Sequence, residues 1–255
     1  MREEMQQKMQ HLTGIILSDI ISKILRCLGG ERMKKVFQKL MVFMLAMGLL
    51  FGSSISAQAA TAKSDGKNME KVLKYYSQNK FSKAKKYNKK ISATTKEACV
   101  KKMSSKMKKA YKKVVKKWPV NYTYTKDYLW GYYLTDIDND KKAELIVQVG
   151  TCEADVRIHV YKYKKGKAVK IGSMSAGHTS FHAYPNHKGV ILYWGHMGYE
   201  SISVLTIKSG KLSGKEIGSR DLNKSGNWLN LKGALDDHIS YDSNYNRTLD
   251  LNDLK

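Results

Sequence analysis

Residues 131–150 read GYYLTDIDNDKKAELIVQVG, and this stretch decides the fold class. It joins a tyrosine-rich segment to an acidic turn and then to an apolar run of strand length, ELIVQVG. Three similar runs follow, VRIHVYKYKKGKAVKIG, GVILYWG and SISVLTIKSGKLSG, broken by glycines that are typical of hairpin turns. The pattern predicts a small antiparallel β domain over residues 120–222.

Glycines repeat along this domain at offsets of 45, 44 and 46 residues: Gly150 with Gly195, Gly166 with Gly210, and Gly172 with Gly218. A period near 45 residues is the size of a propeller blade. Two units are too few to close a ring. We therefore expect two blade-like units of about 45 residues in an open sheet or sandwich that a helix covers, and the less economical alternative is that another chain completes the blades.

The acidic turn has the spacing of a calcium loop. Asp136, Asp138, Asp140 and Glu144 stand at positions 1, 3, 5 and 9, and Lys142 at position 7 can offer its backbone carbonyl. Carboxylates placed so close together repel one another unless a cation neutralises them. The spacing predicts a structural calcium site, and the alternative is an acidic turn closed by Asx hydrogen bonds without a metal.

The loop resembles the calcium loop of integrin-type FG-GAP and VCBS repeats, in which an aspartate-rich turn runs directly into an apolar strand. The resemblance covers about 20 residues, or about 40 with the following hairpin. It implies an ion that holds a hairpin and takes no part in catalysis. Lys141 stands where such repeats usually have glycine, which implies a lysine in the left-handed backbone region.

Residues 33–59 have the three parts of a secretory signal: lysines, an uncharged apolar run to about Ile55, and the small-residue site Ala57-Gln58-Ala59. Residues 1–32 form an upstream extension, from a mis-assigned start or a long n-region. The alternative is an uncleaved anchor, although the apolar run is shorter than the roughly 20 residues that span a bilayer. As a whole the chain resembles small secreted proteins of Gram-positive bacteria that carry this acidic loop. The resemblance implies an extracellular or cell-wall location and does not indicate which activity, if any, the protein has.

Residues 60–119 form a basic helical region. They contain 20 lysines and 3 acidic residues, so their net charge is 20 − 3 = +17, whereas residues 120–255 have 18 basic and 15 acidic residues, or +3. Thr94 and Glu97 have capping-box spacing, and apolar residues then recur every three or four positions from Cys99 to Trp118. We expect one lysine-rich amphipathic helix that packs its apolar stripe on the β domain, giving an α+β fold.

The charge predicts attraction to a polyanion, such as an anionic cell-wall polymer. Nearly all of it is lysine, which lacks the forked geometry that reads guanine bases, so we expect no sequence-specific nucleic-acid binding. A glycan or a surface protein is the other expected partner. We expect membrane contact only through the signal segment.

Two cysteines follow the signal, Cys99 and Cys152, and in an oxidising compartment one disulfide between them is the simplest pairing. Two separate thiols are the alternative. The polar C-terminal tail, residues 223–255, carries a weaker oxygen-rich run from Asp242 to Asp253 that is similar to half of a dockerin-type loop.

No catalytic motif is complete. Four histidines are candidates for zinc, Ser175 narrowly misses a nucleophile elbow, and Cys152 could pair with His178 or His182 as a thiol dyad. The histidines are His178, His182, His187 and His196. The tyrosines near residue 128 suit either a half-exposed sheet face or sugar stacking. The sequence therefore favours a secreted, non-catalytic, calcium-stabilised binding module, and the alternative is a hydrolase with a site near Cys152, His178 and His182.

Overall fold

Two antiparallel sheets of four strands form the centre of the molecule in a computed structural model, which describes residues 60–92, 99–122, 126–241, 243 and 246–255. The predicted signal segment and upstream extension lie outside the described residues. The chain divides into two units, Met1–Ala60 and Thr61–Lys255, and the second is described below. The predicted α+β class is confirmed.

Each sheet is a meander in which strands pair in chain order. The first contains β1 (Tyr128–Thr135), β2 (Glu144–Gly150), β3 (Arg157–Lys164) and β4 (Lys167–Ser175). The second contains β5 (Thr179–His182), β6 (Val190–His196), β7 (Tyr199–Lys208) and β8 (Lys211–Asp221). A short hairpin, β9 (Ile239–Tyr241) and β10 (Arg247–Leu249), lies beyond them.

The four α-helices of the described residues flank the sheets. Residues 60–77 form α1, which is followed by α2 (Phe81–Asn88), α3 (Ser105–Val115) and the short α4 (Leu222–Ser225). None of the described helices is long and apolar enough to cross a membrane.

Successive side chains of a strand point to opposite faces of its sheet, so each sheet contributes to two apolar layers. Leu145 and Val147 of β2 join α3 in one apolar cluster, whereas Ile146 between them faces a second cluster shared by the two sheets. On the far side, Ile191 and Ile202 of the second sheet pack against α1 in a third cluster. The order of layers is therefore α3, first sheet, second sheet, and α1 with α2.

The lysine-rich helix starts later than its apolar stripe. Met103 is extended, and Ser104 caps α3 by accepting a hydrogen bond from the Met107 amide at 3.3 Å. Because the Ser104 side chain satisfies a backbone N–H that would otherwise be unpaired, the α-helix begins after Ser104. The apolar residues before Met103 therefore lie outside α3. Thr94 and Glu97 lie outside the described residues.

The predicted polar tail contributes to the cores. Leu229, Leu231, Leu235 and Leu254 are buried, two of them against α1 and α2. A buried His238 stacks on Tyr132, with 4.3 Å between ring centroids. Burial of these side chains makes residues 229–241 and 246–254 part of the fold.

Candidate functional site

The acidic loop lies between β1 and β2 and is closed by its own backbone. Asp136 accepts hydrogen bonds from the amides of Asp140, at 3.0 Å, and Lys141, at 2.7 Å. Lys141 has φ of 69°, so it adopts the left-handed backbone that the family resemblance implied. Such a conformation is strained for lysine, and the two bonds to Asp136 hold it in place.

Three of the five predicted ligands converge. One oxygen from each of Asp136, Asp138 and Glu144 lies within 4.8 Å of the others, and in the described part of the chain no other set of three histidine, cysteine or acidic side chains does this. Asp140 lies outside the set, and its carboxylate accepts from the Lys142 amide at 2.8 Å. The sequence analysis offered two alternatives, a set of converging ligands or an acidic turn closed by Asx hydrogen bonds. The loop contains both features.

A lysine that the sequence analysis missed lies among these carboxylates. The Lys162 ammonium contacts Asp138, and it is 2.9 Å from Asp140 Oδ2 and 3.3 Å from Glu144 Oε1. The β2–β3 register, which pairs Leu145 with Tyr161, brings Lys162 opposite Glu144 at the end of the ladder. One signal was available, since Lys162 continues the inward positions of Ile158 and Val160 and is out of place on an apolar face.

The electrostatics of the loop are uneven. Glu144 is fully buried, and one of its oxygens accepts from the Ile137 amide at 2.8 Å. The other oxygen has only the ion pair with Lys162, and neither it nor Asp138 Oδ1 has a hydrogen-bond partner of good geometry among the described residues. Burial, helped by the nearby Asp138 charge, raises the pKa of Glu144 to about 7. Burial also raises the pKa of Asp136. The cluster thus holds more negative charge than its donors satisfy, which is the condition for taking up a cation.

Lys162 occupies part of the space that such a cation needs. Burial opposes the charged form of Lys162, but hydrogen bonds to Asp138 and Asp140 raise its pKa above its ordinary value. Burial acts to raise the pKa of Asp140, but the hydrogen bonds from Lys162 and from the Lys142 amide, together with the charges of both lysines, lower it below its ordinary value. A calcium ion would therefore compete with an ammonium group that already neutralises the loop.

The lysines of α3 form a second candidate site. Seven lysines between residues 106 and 117 are exposed or half-exposed, and within the described chain none of them forms an ion pair or a side-chain hydrogen bond. A cavity of about 470 Å³ lies between α3 and the β3–β4 turn. It is lined by Lys106, Lys109, Ala110, Lys113, Val114, Lys117, Gly166, Lys167 and Ala168.

A cleft of about 550 Å³ opens between the two sheets. Trp130, Tyr193 and Trp228 line it together with Gln148 and His178. Tyr128, Tyr132 and Tyr133, which the sequence placed on a half-exposed face or against sugar, are instead buried.

A serine–histidine pair stands at this cleft. His182 is buried, and its Nδ1 donates to the Lys232 carbonyl at 3.0 Å, so its Nε2 accepts from Ser180 Oγ at 2.9 Å. Ser180 lines the cleft and also lies 3.3 Å from the Tyr193 carbonyl. Burial lowers the pKa of His182 to about 4, which makes the imidazole a weak base.

The other predicted residues are dispersed. His178 pairs with Glu153 at 2.9 Å and stacks on His196, while His187 lies 3.9 Å from Glu70 on α1. In the C-terminal oxygen-rich run, Asp253 accepts from His238 at 3.1 Å, and Asp242 and Asn244 lie outside the described residues.

The predicted Cys99–Cys152 bridge has no counterpart among the described residues. Cys99 is buried and lines a small cavity with Asp136, at the end of the first sheet where β2 begins. Cys152 is exposed, two residues beyond the end of β2. A seven-residue strand is about 20 Å long, and a disulfide needs Cα atoms within about 7 Å.

Comparisons with protein-family models, with curated proteins and with solved structures find no match to this chain.

Proposed function

We propose that this protein is a secreted, non-catalytic binding module held at a cell surface or wall by an anionic polymer. The observation that carries the proposal is the row of unpaired lysines on α3. A helix surface normally has acidic partners spaced among its lysines. Here the positive charge stays uncompensated, and its field attracts polyanions.

The packing of α3 supports this role. Met107, Tyr111 and Val115 are buried in the first cluster, so the helix is fixed on the sheet and its lysines face outward. The Tyr111 hydroxyl donates to the Ala143 carbonyl at 2.8 Å, which ties the helix to the acidic loop. A rigid cationic surface loses less conformational entropy on binding than a flexible tail does.

Binding of residues 61–255 to immobilised polyanions, measured over a range of salt concentrations, tests the proposal. We expect saturable binding that weakens steeply with salt, because phosphate or sulfate contacts release counterions. No binding at about 0.1 M salt, where charges are screened beyond about 10 Å, would refute it.

We further propose that the acidic loop binds calcium and that the ion stabilises this platform. Asp136, Asp138 and Glu144 would supply carboxylates, and Asp140 and the Lys142 carbonyl would complete the set as the FG-GAP and VCBS resemblance implies. The buried, under-donated oxygens of Glu144 and Asp138 support this set. Calorimetric titration of the parent and of Asp138→Ala tests it: we expect binding and a calcium-dependent rise in Tm in the parent only.

We also infer that the two sheets are two copies of one blade-like unit. Their hairpin glycines, Gly166 and Gly210, have φ of 81° and 76°. Bulges interrupt the pairing at the equivalent glycines: Val160 pairs with Gly172 next to one, and Ile202 with Gly218 next to the other. Agreement of turns and bulges at one period supports duplication.

A hydrolase with a site near Cys152, His178 and His182 is the second candidate, and the Ser180–His182 hydrogen bond favours it. Ser180 would be the nucleophile and His182 its base. Labelling by a fluorophosphonate probe, lost in Ser180→Ala, would support this candidate. Absence of labelling, together with no cleavage of aryl esters, would reject it.

A further inference from the structure

We propose that the groove between α3 and the β3–β4 turn is the binding site for a linear phosphodiester polymer that carries no bases. The inference rests on the proposed function and specifies where the polymer binds and what its chemistry is. Both walls of the groove carry positive charge: Lys106, Lys113 and Lys117 lie on the helical side, and Lys167 lies on the hairpin.

The helical wall is a regular charge ladder. Lys106, Lys109, Lys113 and Lys117 are spaced three or four residues apart, so they follow one side of α3 and of the turn after it. Neighbouring lysines on such a row stand about 5.4 Å apart along the helix axis. A chain with one charge per repeat can therefore meet several ammonium groups in succession.

The floor of the groove is apolar and small. Ala110, Val114 and Ala168 line it, and Gly166, with φ of 81°, turns the hairpin at its edge with no atom within 4 Å of where a Cβ would stand. Small side chains leave room for a thin chain to lie between the lysines. A polyol or sugar backbone presents C–H groups to such a floor while its phosphates face the walls.

The lining argues against two other polyanions. No aromatic residue lines this groove, whereas single-stranded nucleic acids bind on aromatic side chains that stack with bases. The exposed large apolar side chains of the described chain, Tyr122, Val169, Met197, Tyr199 and Tyr241, are absent from it as well. A membrane surface binds through an inserted apolar face, which this concave site lacks.

All the cations that line the groove are lysines. Without arginine, the groove lacks the forked donor that binds phosphate or carboxylate in bidentate geometry. A phosphodiester has a single negative charge per repeat, and lysine binds it as a point charge.

The helix itself supplies a matched control. Lys108, Lys112 and Lys116 are on the same helix and its cap but do not line the groove. Replacing either triple by glutamine removes three charges from one element, so only the position of the charge differs. Thermal unfolding of both variants should match the parent, because all six side chains are exposed or half-exposed.

The experiment measures binding of deacylated lipoteichoic acid, a polyglycerol phosphate chain, to residues 61–255 and to both triple variants. For Lys106→Gln/Lys113→Gln/Lys117→Gln we expect at least a tenfold loss of affinity and a salt slope lower by about 2. For Lys108→Gln/Lys112→Gln/Lys116→Gln we expect less than a threefold loss.

The outcomes separate the two proposals. Equal losses in both triples would overturn the groove while leaving polyanion binding intact. No binding by the parent would overturn both. Oligothymidylate, heparin or phosphatidylglycerol vesicles that bind as tightly as the polyglycerol phosphate, with the same dependence on the groove lysines, would overturn the assigned polymer class.

Discussion

Two glutamates of the described chain are fully buried, one in each sheet, and they are satisfied very differently. Glu200 in the second sheet accepts from the Tyr193 hydroxyl at 2.5 Å and the Leu229 amide at 3.0 Å, and pairs with Arg220 at 3.1 Å. Glu144 in the first sheet has one amide donor and the shared ammonium of Lys162. Glu200 therefore cross-links several elements, whereas Glu144 has fewer donors, as the proposed calcium site requires.

The two glutamates differ because their hydrogen-bond donors come from different parts of the fold. Those of Glu200 come from β6, from β8 and from the segment after α4, and the Tyr76 hydroxyl on α1 lies 3.4 Å away. Several elements therefore depend on one carboxylate. Glu144 faces its own loop, where the neighbouring groups are acidic.

Replacing each glutamate by glutamine tests this contrast directly. Glu200→Gln should lower the free energy of unfolding by about 3–5 kcal/mol, because it leaves the buried Arg220 without its charge partner. Glu144→Gln should change it by less than about 1 kcal/mol without calcium, since burial raises the pKa of Glu144 to about 7 and an uncharged side chain is tolerated there. Urea unfolding at pH 7 measures both, and equal losses would contradict the contrast.

Removing the ammonium from the loop sharpens the same comparison. Lys162→Met should lower stability without calcium by about 2–3 kcal/mol, because three partly or fully buried carboxylates lose their shared cation. Calcium should then restore it with a larger rise in Tm than in the parent, since the ion no longer competes with lysine.

The neighbouring exposed Lys164 supplies the control, as Lys164→Met should leave both Tm values unchanged. A Lys162→Met protein that calcium fails to stabilise would show that the loop is built around lysine alone.

The two sheets should also respond to pH in opposite directions. Burial lowers the pKa of His182 from 6.5 to about 4. Between pH 6.5 and pH 4 the unfolded chain therefore binds more protons at this residue than the folded chain does. The free energy of unfolding falls as the pH drops through this range. Burial raises the pKa of Glu144 from 4.5 to about 7, so its contribution rises as pH drops from 7 to 4.5.

Melting temperatures between pH 4.5 and 7.5 check this balance. His182→Gln should remove an acid-induced loss of about 2 kcal/mol between pH 6.5 and 5. Glu144→Gln should make the protein more acid-sensitive than the parent. Parallel pH profiles for both variants and the parent would refute the assignment.

The smallest effect is expected at Lys141, which Asp136 holds in the left-handed region. Lys141→Gly removes backbone strain and one positive charge near the carboxylates, so calcium affinity should rise a few-fold while stability changes by less than about 1 kcal/mol. Lys142→Ala removes the same charge without relieving φ. Equal affinities for the two variants would show that charge alone matters.

Local spacing explains which features could be predicted. The strands follow from alternating apolar residues, the turns from Gly166 and Gly210, and the left-handed Lys141 from its place in the acidic loop. The predicted helix start near Cys99 was wrong, because the prediction followed the apolar residues and did not consider that the Ser104 side chain could cap a helix that begins later. The Cys99–Cys152 pairing took no account of β2, which lies between the two thiols.

The sequence by itself determined the α+β class, the concentration of charge before residue 120, and the ligand spacing from Asp136 to Glu144, since these depend on neighbours along the chain. Only the tertiary structure decided that Lys162 enters the acidic loop, that Glu200 joins several elements, and that Lys167 faces the lysines of α3. The Lys162–Glu144 and Glu200–Arg220 ion pairs, and the approach of Lys167 to α3, join residues that are distant along the chain, and the pairing of strands and the packing of layers bring them together.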